Sequence, residues 1–169
     1  MALALGLAAP AAQAFTLHVL HVNDTHSRIQ SVTKTDSTCS GEDEAKGACF
    51  GGSARLKTAV DAARRAAGTE PVILLDAGDQ FQGSLFFTAY SGQVEAEMMN
   101  RIGFDAMALG NHEFDLGDEA LTRFADTLQA PLLSGSVDAS GDAALAGQLS
   151  KPLVLEVGGT RVGIVAATT

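Results

Sequence analysis

Residues 71–80 read Pro-Val-Ile-Leu-Leu-Asp-Ala-Gly-Asp-Gln. Val72–Asp76 is an apolar run without alternation, the pattern of a strand covered on both faces, as in a parallel sheet. The run stops at Gly78-Asp79, so a carboxylate is delivered at the strand's carboxyl end, where open α/β sheets gather their ligands. Two other segments repeat the arrangement. FTLHVLHV at 15–22 is β-rich and apolar on both faces, predicting a buried strand, and runs into Asn23-Asp24-Thr25-His26. Ala106–Leu109 is a short apolar strand that runs into Gly110-Asn111-His112-Glu113.

Helical patterns separate these strands. Ser53 reads as the N-cap of a helix to Ala67, with Leu56, Val60, Ala63 and Ala67 on one face, a Lys57–Asp61 pair and Gly68 as the stop. Ser91–Ile102 carries Val94, Met98 and Ile102 at helical spacing. Asp118 reads as the cap of a third helix whose apolar face is Leu121, Phe124, Ala125 and Leu128. Pro131–Ser134 reads as a fourth strand. Pro152–Val157 and Arg161–Ala166 read as a hairpin turning on Gly158-Gly159. Residues 27–52 and 138–151 read as loops. Alternating strands and helices predict an α/β layered fold in one domain over residues 15–169.

A formal charge of −9 excludes a nucleic-acid partner held by phosphate neutralisation, which needs clustered Lys and Arg. The first fourteen residues, MALALGLAAPAAQA, are small and apolar and end in an Ala-x-Ala pattern, which reads as a signal peptide cleaved after Ala14. They are too short to span a bilayer. They lack a basic start, which places the true start upstream. Export implies a periplasmic, secreted or cell-surface setting. Cys39 and Cys49 are the only cysteines and flank a polar stretch. In an exported protein they read as a disulfide, closing a loop of about ten residues for roughly 2–3 kcal/mol. The competing reading, two thiols on a metal, lacks the close spacing of zinc pairs.

The chemistry lies in the strand-end segments. Asp24 and His26 are two apart, so extended backbone turns both to one side, and an oxygen beside an imidazole suits zinc, manganese or iron. Asp79 can give an oxygen to each of two cations, which two-metal sites hold about 3.5–4 Å apart. A turn Asp bonded to backbone is the structural alternative. Asn111 offers a neutral amide oxygen. His112 lies three residues before Asp115, close enough for the carboxylate to orient the ring and favour its cation, ready to protonate a leaving group.

Together NDTHSR, LLDAGDQFQG and AMALGNHEFD resemble the calcineurin-like metallophosphatases, specifically the secreted 5′-nucleotidase family. The resemblance runs from about Leu17 to the last residue and includes GGSARL at 51–56 and VGIVAATT at 162–169. It extends to Cys39 and Cys49, which are similar to the cysteine pair of animal ecto-5′-nucleotidases. It implies a four-layer αββα sandwich, two sheets between helices, incomplete here on its C-terminal side. It further implies two divalent metal ions, zinc, manganese or similar. Asp24 and His26 would bind the first, Asp79 would bridge, and Asn111 would bind the second and touch a phosphate oxygen. His112 with Asp115 would be the catalytic pair. The substrate implied is a nucleoside 5′-monophosphate, split to nucleoside and phosphate by in-line attack of water.

The family pattern supplies further metal-binding histidines downstream and a separate nucleoside-binding domain. Here the histidines are His18, His21, His26 and His112, and the first two match no ligand motif. The chain therefore reads as the N-terminal part of a longer enzyme, poorly active alone. Cyclic-nucleotide phosphodiesterases, UDP-sugar hydrolases and the thiosulfate-ester branch share this half-site. A non-catalytic secreted metal-binding domain is the rival of another class.

Overall fold

The structure is a computed structural model and describes residues 14–150 and 152–168. Of the leader read at residues 1–14, residues 1–13 lie outside the described residues. In chain order the elements are β1 (His18–Val22), β2 (Val32–Thr33), α1 (Gly41–Ala45), β3 (Cys49–Phe50), α2 (Ser53–Ala67), β4 (Val72–Asp76), α3 (Leu85–Tyr90) and α4 (Gln93–Ile102). There follow β5 (Ala106–Ala108), a 3₁₀ turn (His112–Phe114), α5 (Gly117–Thr127), β6 (Leu132–Leu133), α6 (Ala143–Gln148), β7 (Leu149–Ser150), β8 (Leu153–Val157) and β9 (Thr160–Ile164).

Five strands form one parallel sheet in the order β1-β4-β5-β6-β7. The register sets Leu20 beside Leu74, Asp76 beside Met107, and Met107 beside Leu132. These side chains share one face, because side chains two apart on a strand point the same way. That face meets Val60 of α2, Met99 and Ile102 of α4, Leu121 and Phe124 of α5 and Leu145 of α6 in a single core. On the opposite face, Leu75, Ala106, Ala108 and Leu133 look across a cavity of about 220 Å³ at Ile164–Ala166, at the end of the β8–β9 hairpin. Gly135 N–H donates to the carbonyl of Ala166 at 2.9 Å and ties the two layers. The result is a mixed α/β arrangement around a parallel sheet, in keeping with the sandwich the sequence resemblance implies.

Several expectations shift. β1 lies at the edge of the sheet and is only partly covered: Val19 is 51% exposed although its apolar pattern matches that of buried β4. His18 is satisfied by Glu70, Nε2 to Oε2 at 2.6 Å. Gly52, with φ +88°, caps α2 in place of Ser53, whose hydroxyl instead donates to the carbonyl of Ile29. Leu116 occupies the N-cap of α5, and Asp118 sits in the first turn, where its charge still favours the helix dipole. Ser91 takes a left-handed conformation that separates α3 from α4, so the helix expected from Ser91 begins at Gln93. The segment 27–52 contains β2, α1 and β3, and α1 is held by a Ser40–Asp43 capping box. The segment 138–151 contains α6, capped by Asp142, and β7. Cys39 and Cys49 are disulfide-bonded, with Cα atoms 5.9 Å apart.

Phe81 and Phe124 are fully buried and meet edge to face, centroids 5.1 Å apart, joining α5 to the loop after β4. Phe124→Ala should cost about 3–5 kcal/mol by chemical denaturation. A loss below about 1 kcal/mol would mean that the cavity collapses and the aromatic contact is dispensable.

Candidate metal centre

β1, β4 and β5 end side by side, so the three polar segments meet along one edge of the sheet. The first loop is laid against the second by three backbone bonds. Asp24 N–H donates to Gly78 O at 3.0 Å, His26 N–H to Asp79 O at 3.0 Å and Ser27 N–H to Gln80 O at 2.8 Å. This pairing forces the chain into left-handed backbone at Asp24, His26, Ser27 and Asp79, with φ between 46° and 59°. Such values are uncommon for residues other than glycine and mark functional sites more often than ordinary turns. The extended geometry expected for Asp24-x-His26 is therefore absent. The two side chains still approach, His26 Nε2 lying 3.7 Å from Asp24 Oδ1, but Asp24 stands outside the group that His26 forms with Asp79 and His112.

Glycine governs the approach of the second and third loops. A Cβ on Gly78 would lie 2.3 Å from Gly110 N, and one on Gly110 would lie 2.1 Å from Asp79 Oδ1. The backbones touch, and Asp79 Oδ1 then accepts from His112 N–H at 3.1 Å. Glu113 completes the clamp. Its carboxylate is fully buried and accepts from the N–H groups of Gly110 (2.6 Å), Asp79 (3.0 Å), Gln80 (2.8 Å) and Phe81 (3.3 Å). Burial raises its pKa, and the four N–H donors oppose that rise. Sequence reading passed over Glu113, although an acid directly after a candidate ligand histidine is a visible signal.

Ring nitrogens of His26 and His112 and a carboxylate oxygen of Asp79 all lie within 4.8 Å of one another. His26 Nδ1 is 3.0 Å from the carbonyl of Phe81, which can only accept, so Nδ1 carries the proton and Nε2 keeps its lone pair. An oriented imidazole beside a carboxylate is a donor set that fits zinc or manganese. Asn111 precedes the 3₁₀ turn and is exposed. Among the described residues this convergence lies on the predicted segments; the other such group, Cys39, Glu44 and Cys49, is closed by the disulfide.

His112 and Asp115 are paired as their spacing predicts, Nδ1 to Oδ2 at 2.7 Å. The carboxylate raises the His112 pKa, and the imidazolium with Gln82 lowers that of Asp115. Stabilisation from a raised histidine is present at low pH and lost as pH rises through its folded-state pKa. That from a lowered carboxylate is present above the usual carboxylate range and lost on acidification. The pair is strongest between these limits.

The sequence pattern of the calcineurin-like phosphoesterase family matches residues 17–165. The chain belongs to that family. It is 46% identical over 172 residues to a 5′-nucleotidase of Bos taurus, covering 99% of this chain and 29% of the relative. It is 39% identical over 165 residues to a snake venom 5′-nucleotidase of Gloydius brevicauda, covering 94% and 26%. The crystal structure of a 5′-nucleotidase precursor from Thermus thermophilus superposes with a TM-score of 0.79 at 41% identity, covering 92% of this chain and 29% of that one. The chain thus spans less than a third of the length of these relatives.

Two outcomes are expected. Gly110→Ala should displace Asp79 and cost about 1–3 kcal/mol in denaturation, with metal binding lost in parallel. In metal-free protein, NMR titration should place His112 above the ordinary histidine range, and Asp115→Asn should bring it down; an unchanged midpoint would mean the pair is open in solution.

Proposed function

We propose that this chain carries the metal-binding half of a two-metal phosphomonoester hydrolase that releases phosphate from nucleoside 5′-monophosphates outside the cytoplasm. The single observation that carries the reading is the convergence of His26, Asp79 and His112 on one point at the sheet edge. The resemblance of the chain to 5′-nucleotidases supplies the substrate class.

Asp24 and His26 would hold one cation, Asp79 would be shared, and Asn111 would hold the second and meet a phosphate oxygen. The cations would supply Lewis-acid neutralisation of the phosphate charge and acidify a water. His112 is assigned to proton donation because an imidazolium held by Asp115 has no lone pair for a metal. With Nδ1 tied to the carboxylate, the proton on Nε2 is available to the leaving ester oxygen. Asp115 fixes the ring and stabilises its charge. The disulfide and the Ala-x-Ala leader pattern support action in an oxidising compartment. No helix among the described residues is long and apolar enough to cross a membrane.

Phosphate release from AMP, expected to be weak for this chain alone, should be abolished by chelation and restored by Mn²⁺ or Zn²⁺. Asp79→Asn should lower both Mn²⁺ affinity and AMP turnover by about 100-fold or more, at the upper end of what loss of a metal-site group costs. Turnover that survives chelation would overturn the metal reading. Preference for a UDP-sugar over AMP would overturn the substrate.

A further inference from the structure

Behind the ligand loops lies a second set of contacts. Thr25 stands between Asp24 and His26, and Gln80 follows Asp79. The Thr25 hydroxyl donates to Gln80 Oε1 at 2.6 Å, and Gln80 Nε2 donates to Asp76 Oδ2 at 2.6 Å. The other Asp76 oxygen accepts from Gly78 N–H at 2.8 Å. Asp76 is 3% exposed and Gln80 5%. Burial pushes the Asp76 pKa up to about 7. In its ionised form the carboxylate can only accept, so it turns the amide nitrogen of Gln80 toward Oδ2 while Oδ1 takes Gly78 N–H. The amide oxygen is thereby turned to Thr25, whose hydroxyl must donate. The ionised form of this buried acid fixes the polarity of the whole chain of bonds.

Packing does not hold this geometry from every side. Thr25 and Gln80 form part of the wall of a cleft of about 410 Å³, whose remaining lining includes Ile29, Leu56, Met99 and Phe104. With open space beside it, the spacing between the loops depends on directed bonds more than on contact. The backbone bonds from His26 and Ser27 straddle Gln80, and its side chain adds a further cross-link between the two loops beside the contact of His26 Nδ1 with the Phe81 carbonyl.

We propose that Thr25, Gln80 and Asp76 form a positioning relay that sets the distance between the Asp24/His26 loop and Asp79, and hence the affinity of the site for divalent cations. The inference rests on the metal-site reading above. None of the three is assigned as a ligand.

The test is Mn²⁺ affinity of the metal-free chain, read from the electron paramagnetic resonance signal of free Mn²⁺, beside melting in EDTA. Thr25→Val and Gln80→Leu should each weaken Mn²⁺ binding by about 10–100-fold, the usual effect of losing a group that orients a ligand. Thr25→Ser keeps the hydroxyl and should bind as the wild type does. Thr25→Val should melt within about 4 °C of wild type, a minor shift for a chain of this size. Unchanged affinity in Thr25→Val, or equal loss in Thr25→Ser, overturns the relay. So does a loss accompanied by a larger fall in melting temperature, which marks a folding defect. Should Gln80→Leu not fold, the two Thr25 variants decide. A wild-type chain without Mn²⁺ affinity overturns the metal reading and the relay together, whereas equal binding by all variants overturns the relay alone.

Discussion

The carboxylate of Glu113 accepts four backbone N–H groups from two different loops, and the rest of the site is built around that clamp. A buried carboxylate without partners would cost several kcal/mol, whereas one saturated with N–H donors ties down every segment that donates. Two of those donors are the candidate bridging residue Asp79 and its neighbour Gln80. A third, Gly110, opens the segment that carries Asn111 and His112. The candidate ligands Asp79 and Asn111 therefore sit on or beside backbone that Glu113 already holds, a preorganisation that loops lacking such a clamp do not have.

The same clamp explains the distribution of strain. Holding the Asp79 loop against Gly110 leaves no room for a Cβ at Gly78 or Gly110. Pairing the Asp24–Ser27 segment along that loop then requires positive φ at three residues that are not glycine. Each such residue costs on the order of 1 kcal/mol or more, offset here by the backbone bonds that the conformation permits and by Ser27, which donates to buried Glu95. Strain is concentrated where the polar side chains must converge. The apolar core beneath, with Phe81, Phe124, Leu121 and Met107 fully buried, provides the rigid support.

Electrostatics divides the two histidines between roles. His26 bonds a neutral carbonyl and keeps a lone pair toward Asp79. His112 bonds a carboxylate and is held toward its cation. Their rings stand edge to face with centroids 5.0 Å apart, so two imidazoles of opposite disposition share one small site. The difference comes from the group each Nδ1 meets, not from the ring.

Much of the site was legible as text, because each polar segment directly follows an apolar run and strand ends are local events. The β4 boundaries, the Lys57–Asp61 pair, the Gly158-Gly159 turn and the His112–Asp115 contact all depend on residues within a few positions of one another. Helix caps were misplaced by one or two residues, since at Gly52 and Leu116 backbone geometry took the place of a side-chain cap. The edge position of β1 was invisible, because an apolar strand reads alike whether one neighbour or two flank it. Taken by itself, then, the sequence determined the α/β order and which residues bring chemistry to the strand ends, as these follow from local pattern. Only the tertiary structure decided that Asp24 and His26 bend instead of extending, that Glu113 clamps two loops, and that Thr25 reaches Asp76 through Gln80. The bonds that join separate loops span 34 residues from Glu113 to Asp79 and 55 from Thr25 to Gln80, and nothing in local propensity records which distant partner a buried polar group will meet.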